Sequence, residues 1–161
     1  MIQEEIEKKI RSMDKRKLLF LFGEHMSGKT QAAVDFLKSK YGDEYSKYYI
    51  DVGLYLQQKI LKGPISTYEV YPEEFSEDAQ DFIEELINEK FIDSSSNLYV
   101  LDHLEFLLSE KNTEWIKILD RVTLKKYTVI VVVPNEYRYM LPVKAYDYVE
   151  VIWRRMGDNE N

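Results

Sequence analysis

Cysteine is absent from the chain, and histidine occurs only as His25 and His103. No disulfide framework or thiolate metal site can form, and a structural zinc is excluded. Basic side chains are in short supply as well: 22 Lys and Arg face 29 Asp and Glu, leaving a formal net charge of -7. A surface of that sign repels a phosphate backbone, so autonomous nucleic-acid binding is disfavoured and DNA contact is expected only within a complex. Long apolar runs are also missing. The longest are strand-sized, such as residues 129–133, and the start Met1-Ile2-Gln3-Glu4-Glu5-Ile6 lacks an apolar signal core. No membrane span is expected, and the cytoplasm is the natural address. Internal repeats, low-complexity tracts and Pro-rich linkers do not occur.

What is present suits one domain: 161 residues at 45% hydrophobic content can bury a single real core. We read residues 1–16 as an N-terminal amphipathic helix, 17–153 as the core and 154–161 as a short polar tail without a lid domain. Ile2, Ile6, Ile10 and Met13 recur at helical spacing and make one apolar stripe, which must pack on this domain or on a partner. Leu18-Leu19-Phe20-Leu21-Phe22 is apolar without alternation, as in a strand covered on both faces of a parallel sheet. A helix through Ala32, Ala33, Phe36 and Leu37 follows and ends near Tyr41-Gly42. Further strands are expected at 48–52, 98–101, 128–133 and 146–153. Helices through Leu54 to Leu61, Phe75 to Ile87 and Trp115 to Leu119 separate them, the last with Thr113 as N-cap. This β-α alternation predicts a three-layer α/β/α sandwich around a mainly parallel five-stranded sheet.

The first strand runs into Gly23-Glu24-His25-Met26-Ser27-Gly28-Lys29-Thr30. Two glycines with four residues between them, followed by Lys and a hydroxyl, carry a mechanism. Main-chain amides curl around phosphates, Lys29 neutralises charge, and Thr30 offers its hydroxyl to magnesium. The helix that begins near Lys29 adds its positive dipole end. Cofactor contact is therefore expected from Gly23 through Gln31, and the cofactor is expected to be ATP, or another nucleoside triphosphate, with Mg²⁺.

With these motifs the chain resembles the P-loop NTPases of the additional-strand, AAA-like class, and the resemblance covers nearly all of it. It implies a second motif, an apolar strand ending in a magnesium-holding aspartate, which Leu98-Tyr99-Val100-Leu101-Asp102 matches. A hard cation prefers such oxygen ligands, so Thr30 and Asp102 are the expected metal residues. Many members of the class carry a glutamate directly after the aspartate, and here that place is His103. Glu105 is the nearest carboxylate that can orient a water, unless it is an ordinary first-turn helix residue. Asn135, at the end of the next strand, sits where the class places a sensor of the γ-phosphate, or else belongs to a Pro-Asn turn. Arg138, Arg154 and Arg155 are candidates for an arginine finger, with Arg138 preferred. Lys29, Asp102, Glu105, Asn135 and Arg138 are thus the expected catalytic set.

The layout GEHMSGKT, LDHLE and VPNEYR further resembles the small P-loop proteins of BREX phage-defence systems. That resemblance implies a bacterial accessory ATPase with larger partners, a DNA methyltransferase among them. Three functions remain open on the residues. The first is a weak ATPase or nucleotide switch acting through protein contacts, the second a small-molecule or nucleotide kinase, and the third a nucleotide-binding module without turnover. The 13 tyrosines suit protein interfaces, homo-oligomer contacts included, or simply strands and core.

Overall fold

The computed structural model describes residues 2–13, 16–24, 26–62, 72–91, 97–108, 113–141 and 146–152. His25, Trp153, Arg154 and Arg155 lie outside them. In chain order the elements are α1 (Ile2–Ser12), β1 (Leu18–Gly23), α2 (Lys29–Tyr41), a 3₁₀ segment (Gly42–Lys47), β2 (Tyr49–Asp51), α3 (Val52–Lys62) and α4 (Pro72–Lys90). Then come β3 (Leu98–Asp102), α5 (Glu105–Leu108), α6 (Glu114–Lys125), β4 (Thr128–Pro134), a second 3₁₀ segment (Asn135–Met140) and β5 (Asp147–Val151).

All five strands are parallel and lie in the order β2-β3-β4-β1-β5. The chain is an α/β sandwich of the P-loop NTPase kind. Every residue of β1 and β3 is buried, as is β4 up to Pro134, which explains why those strands read as unbroken apolar runs. At the sheet edge, β5 instead alternates, with Val149 and Val151 inward and Tyr148 and Glu150 outward. The stripe on α1 packs against α2 and β5 and buries Ile6 completely. Ion pairs Lys40 to Glu7 at 3.1 Å and Lys9 to Asp147 at 3.7 Å flank that contact.

Three elements depart from expectation. β2 stops at Asp51 because its Oδ1 accepts the main-chain N–H of Leu54 at 2.9 Å, the bond of an N-cap, and so starts α3 at Val52. Thr113 does occupy the N-cap position of α6, yet its side chain makes no capping bond. The last strand is shorter than expected, ending at Val151. Gly42 ends α2 at φ 58°, a positive φ that a side chain disfavours, although its ψ of -130° lies outside the left-handed helical well.

Parallel pairing gathers the carboxyl ends of the strands at one rim. Gly23 of β1 is in register with Pro134 of β4 and Val151 of β5, and Asp51 of β2 with Asp102 of β3. β4 stands between the strand that carries the glycine loop and the strand that carries Asp102.

Candidate functional site

The loop between β1 and α2 depends on residues without side-chain bulk. A Cβ on Gly23 would collide with Ser27 Oγ and press on the Lys29 side chain at 3.3 Å. Gly28 sits at φ 90° and Met26 at φ 60°, so the chain turns through the left-handed region twice before the helix begins. Ser27 is buried, and its Oγ has no hydrogen-bond partner. A buried hydroxyl without a partner is disfavoured, and a phosphate oxygen at this loop would satisfy it.

Asp102 closes β3 at the neighbouring rim, and the residue is only 3% exposed. A carboxylate so desolvated needs donors. Oδ2 accepts the Thr30 hydroxyl at 2.7 Å and the Tyr49 hydroxyl at 2.7 Å, while Oδ1 accepts the main-chain N–H of His103 at 2.8 Å. Burial, reinforced by the adjacent carboxylate and the hydrogen bond to it, pushes the Tyr49 hydroxyl far above the ordinary tyrosine range. Tyr49 therefore stays a neutral donor. Among the described residues, His103 is the sole basic side chain within ion-pair distance of Asp102, with Nε2 at 3.8 Å. The carboxylate is thus held by two hydroxyls and one main-chain amide.

Thr30 and Asp102 form a set of hard oxygen donors that fits Mg²⁺. Magnesium is usually held by one or two carboxylates with the remaining positions on phosphates and water. The described residues hold no cluster of three or more His, Asp or Glu able to bind a metal by themselves. A cation at Asp102 would therefore share its coordination with a bound polyphosphate.

The other expected residues fall into two groups. Lys29 opens α2, and its Nζ donates to the main-chain carbonyl of Glu24 at 3.3 Å, over the loop. Asn135 starts the second 3₁₀ segment, and its Nδ2 donates to Glu24 Oε1 at 3.2 Å, so the strand end and the loop meet. Glu105 opens α5 and lines a cleft of about 510 Å³ with Asp51, Gly53, His103 and Phe106. By contrast, Gln31 projects to solvent and bonds Asp35 at 2.7 Å, and Met26 is 79% exposed. Arg138 lies over the rings of Phe22 and Tyr148, 4.8 and 4.6 Å from their centroids, and pairs with Glu150 at 3.5 Å.

Two residues escaped the sequence reading. Tyr49 was one tyrosine among many, and only pairing of β2 with β3 brings it to Asp102. Asp51 marks a strand end much as Asp102 does, and its Oδ2 lies 4.0 Å from His103 Nε2. A three-residue edge strand carried no signal that its final aspartate would join this rim. The tyrosines divide: Tyr48, Tyr55 and Tyr99 are buried in the core, whereas Tyr139 of the second 3₁₀ segment and Tyr148 of β5 are exposed.

No protein-family model matches the chain, and no curated protein matches it by sequence. Among solved structures it is similar to that of PCH-2 from C. elegans, with a TM-score of 0.52 at 15% identity over 93% of this chain. The chain spans 40% of the length of PCH-2. At this identity the likeness is one of fold, and the fold it supports is that of the P-loop NTPases. Among the described residues, no helix is long and apolar enough to cross a membrane.

Proposed function

We propose that the protein binds ATP with Mg²⁺ and works as a weak ATPase or nucleotide switch inside a multi-protein assembly. The observation that carries this reading is the 2.7 Å hydrogen bond from Thr30 Oγ1 to Asp102 Oδ2. It joins the hydroxyl of the glycine loop to the aspartate of a strand 72 residues further on. Neither fold class nor core packing requires a buried carboxylate there, whereas a shared magnesium does. The unpartnered Ser27 Oγ and the bulk-intolerant Gly23 support a phosphate at the loop. The likeness in fold to PCH-2 supports the same reading at the level of fold.

In this reading Lys29 leaves the Glu24 carbonyl for the phosphates, while Thr30 and Asp102 would hold the Mg²⁺, which would supply further charge neutralisation there. Asn135 faces the terminal phosphate, and Glu105 or His103 orients the attacking water. Arg138 serves a neighbouring subunit once released from Glu150. The resemblance of the motif layout to that of the small P-loop proteins of BREX systems supports a bacterial phage-defence setting, with defence enzymes as partners.

A second reading is favoured by one residue: His103 holds the place where the class carries a glutamate, at φ 61° and bonded back to Asp102. A site built so binds nucleotide without turning it over. Phosphate release from ATP by the purified protein, alone and with candidate partners and with Lys29→Ala as control, separates the readings. Slow, Lys29-dependent release without an acceptor is the expected result. Tight binding with no release under any condition selects the second reading, and phosphate on a small-molecule acceptor would indicate a kinase.

A further inference from the structure

Glu24 holds two of the donors that the nucleotide site needs. Its main-chain carbonyl accepts Lys29 Nζ at 3.3 Å, and its carboxylate accepts Asn135 Nδ2 at 3.2 Å. A carboxylate only accepts, so the orientation of the Asn135 amide is forced: the nitrogen faces Glu24 and Oδ1 faces away. That Oδ1 is buried and has no hydrogen-bond partner. The contact thus satisfies one end of the amide while the other end carries a desolvation penalty. Glu24 itself is exposed, and water can readily receive its carboxylate.

We infer that Glu24 is a positioning residue that stands in for the terminal phosphate, latching Asn135 to the loop until a triphosphate replaces it. The inference rests on the reading above that the site takes a nucleotide. A γ-phosphate oxygen and a carboxylate oxygen are the same kind of acceptor for an amide N–H. They also repel each other, so a phosphate arriving at the loop pushes Glu24 outward as it takes Asn135. A diphosphate lacks the group that competes for the amide and leaves the latch closed. A ligand shifts an equilibrium only by its differential interaction with the two states, and here the difference is one phosphoryl group.

The consequence reaches beyond the loop. Asn135 is the first residue of the 3₁₀ segment Asn135–Met140, which carries Arg138 on Phe22, Tyr148 and Glu150 and leaves Tyr139 78% exposed. Opening the latch moves the start of that segment, so the surface around Tyr139 differs between triphosphate and diphosphate states. The latch also taxes triphosphate binding, because closed molecules must open first.

The test is a double-mutant cycle read by affinity. Dissociation constants for Mg²⁺ with a non-hydrolysable triphosphate analogue, and for Mg²⁺ with ADP, are measured for the native chain, Glu24→Ala, Asn135→Ala and the double variant. Glu24→Gln serves as a variant of the same shape. Glu24→Ala should tighten the triphosphate analogue about fivefold and ADP less than about twofold, as befits one exposed charge-assisted hydrogen bond. Glu24→Gln should fall between, and the gain should vanish when Asn135 is already alanine. A gain equal for both nucleotides that persists in the Asn135→Ala background shows that Glu24 acts only as a nearby negative charge, and the latch is then wrong. No change in any affinity overturns it too. If the native chain binds neither nucleotide, the nucleotide reading itself fails and the latch falls with it, an outcome distinct from the other two.

Discussion

Tyr49 and Asp102 are joined by a 2.7 Å hydrogen bond across the boundary between β2 and β3, onto the same carboxylate oxygen that Thr30 reaches. Arrival of a magnesium ion would recruit Thr30 and Asp102 together, and Tyr49 would keep the carboxylate aimed while the partners exchange. Tyr49→Phe should lower stability by about 1.5–3 kcal/mol, the usual net worth of a hydrogen bond to a carboxylate. It should also weaken the magnesium dependence of nucleotide binding more than nucleotide binding without metal. Denaturant titration and binding with and without Mg²⁺ check both halves, and an unaltered metal dependence would leave Tyr49 a purely structural partner.

Asp102→Asn keeps the shape of the side chain but removes the charge that a cation needs. The expected result is an intact fold and magnesium-dependent nucleotide affinity weakened by about tenfold or more. Circular dichroism and equilibrium binding across a magnesium series would show it. A response to magnesium matching that of the native chain takes Asp102 out of the site.

Gly53 lies where α3 begins beside the turn after β3. A Cβ there would stand 3.1 Å from the His103 carbonyl oxygen and 3.4 Å from His103 Cβ. In a helix, Gly→Ala by itself gains roughly 0.5–1 kcal/mol, and overpacking costs about 1–3 kcal/mol. Overpacking should win, because one neighbour is backbone. Gly53→Ala is therefore expected to lose about 1 kcal/mol in a urea titration and to displace the His103 turn. A more stable variant would mean that the turn yields without cost.

Tyr146 donates to Asp120 Oδ2 at 2.6 Å and lies under Arg16, 4.0 Å from its ring centroid. Burial, with help from Asp120, pushes its hydroxyl up to about 12. The folded value is raised above the unfolded one, so the stabilisation is fully present below about pH 10 and is lost as pH rises through about 12. Tyr146→Phe should cost about 1 kcal/mol at neutral pH. The gap between native chain and variant should then close as pH rises from 10 to 12. A gap that stays constant through that window would show that the hydroxyl titrates alike in both states.

Much of the site was legible because its parts are local. Gly23, Gly28, Lys29 and Thr30 occupy one continuous stretch, and the backbone at φ 90° for Gly28 follows from steric rules that any chain obeys. The apolar runs at 18–22 and 129–133 announced strands covered on both faces, and the burial of β1 and β4 agrees. Met26 was harder to foresee, since a bulky residue at φ 60° has no propensity in its favour. The partners of Asp102 were only half legible. Thr30 belongs to a recognisable motif, whereas Tyr49 and Asp51 sit on a three-residue edge strand whose pairing no local signal specifies. Arg138 was singled out as a candidate arginine finger, and its seat over Phe22 and Tyr148 beside Glu150 is a tertiary feature that no local signal announced.

By itself the sequence determined the period of each element, the glycine loop and the strand that ends in Asp102, since these depend on sterics and hydrophobic patterning within a few residues. Only the tertiary structure decided the order β2-β3-β4-β1-β5 and which side chains share the rim. Strand pairing is a long-range choice, made by burying whole faces at once. A carboxylate at one strand end acquires its hydroxyl, its phenol and its neighbouring imidazole only when that choice has been made.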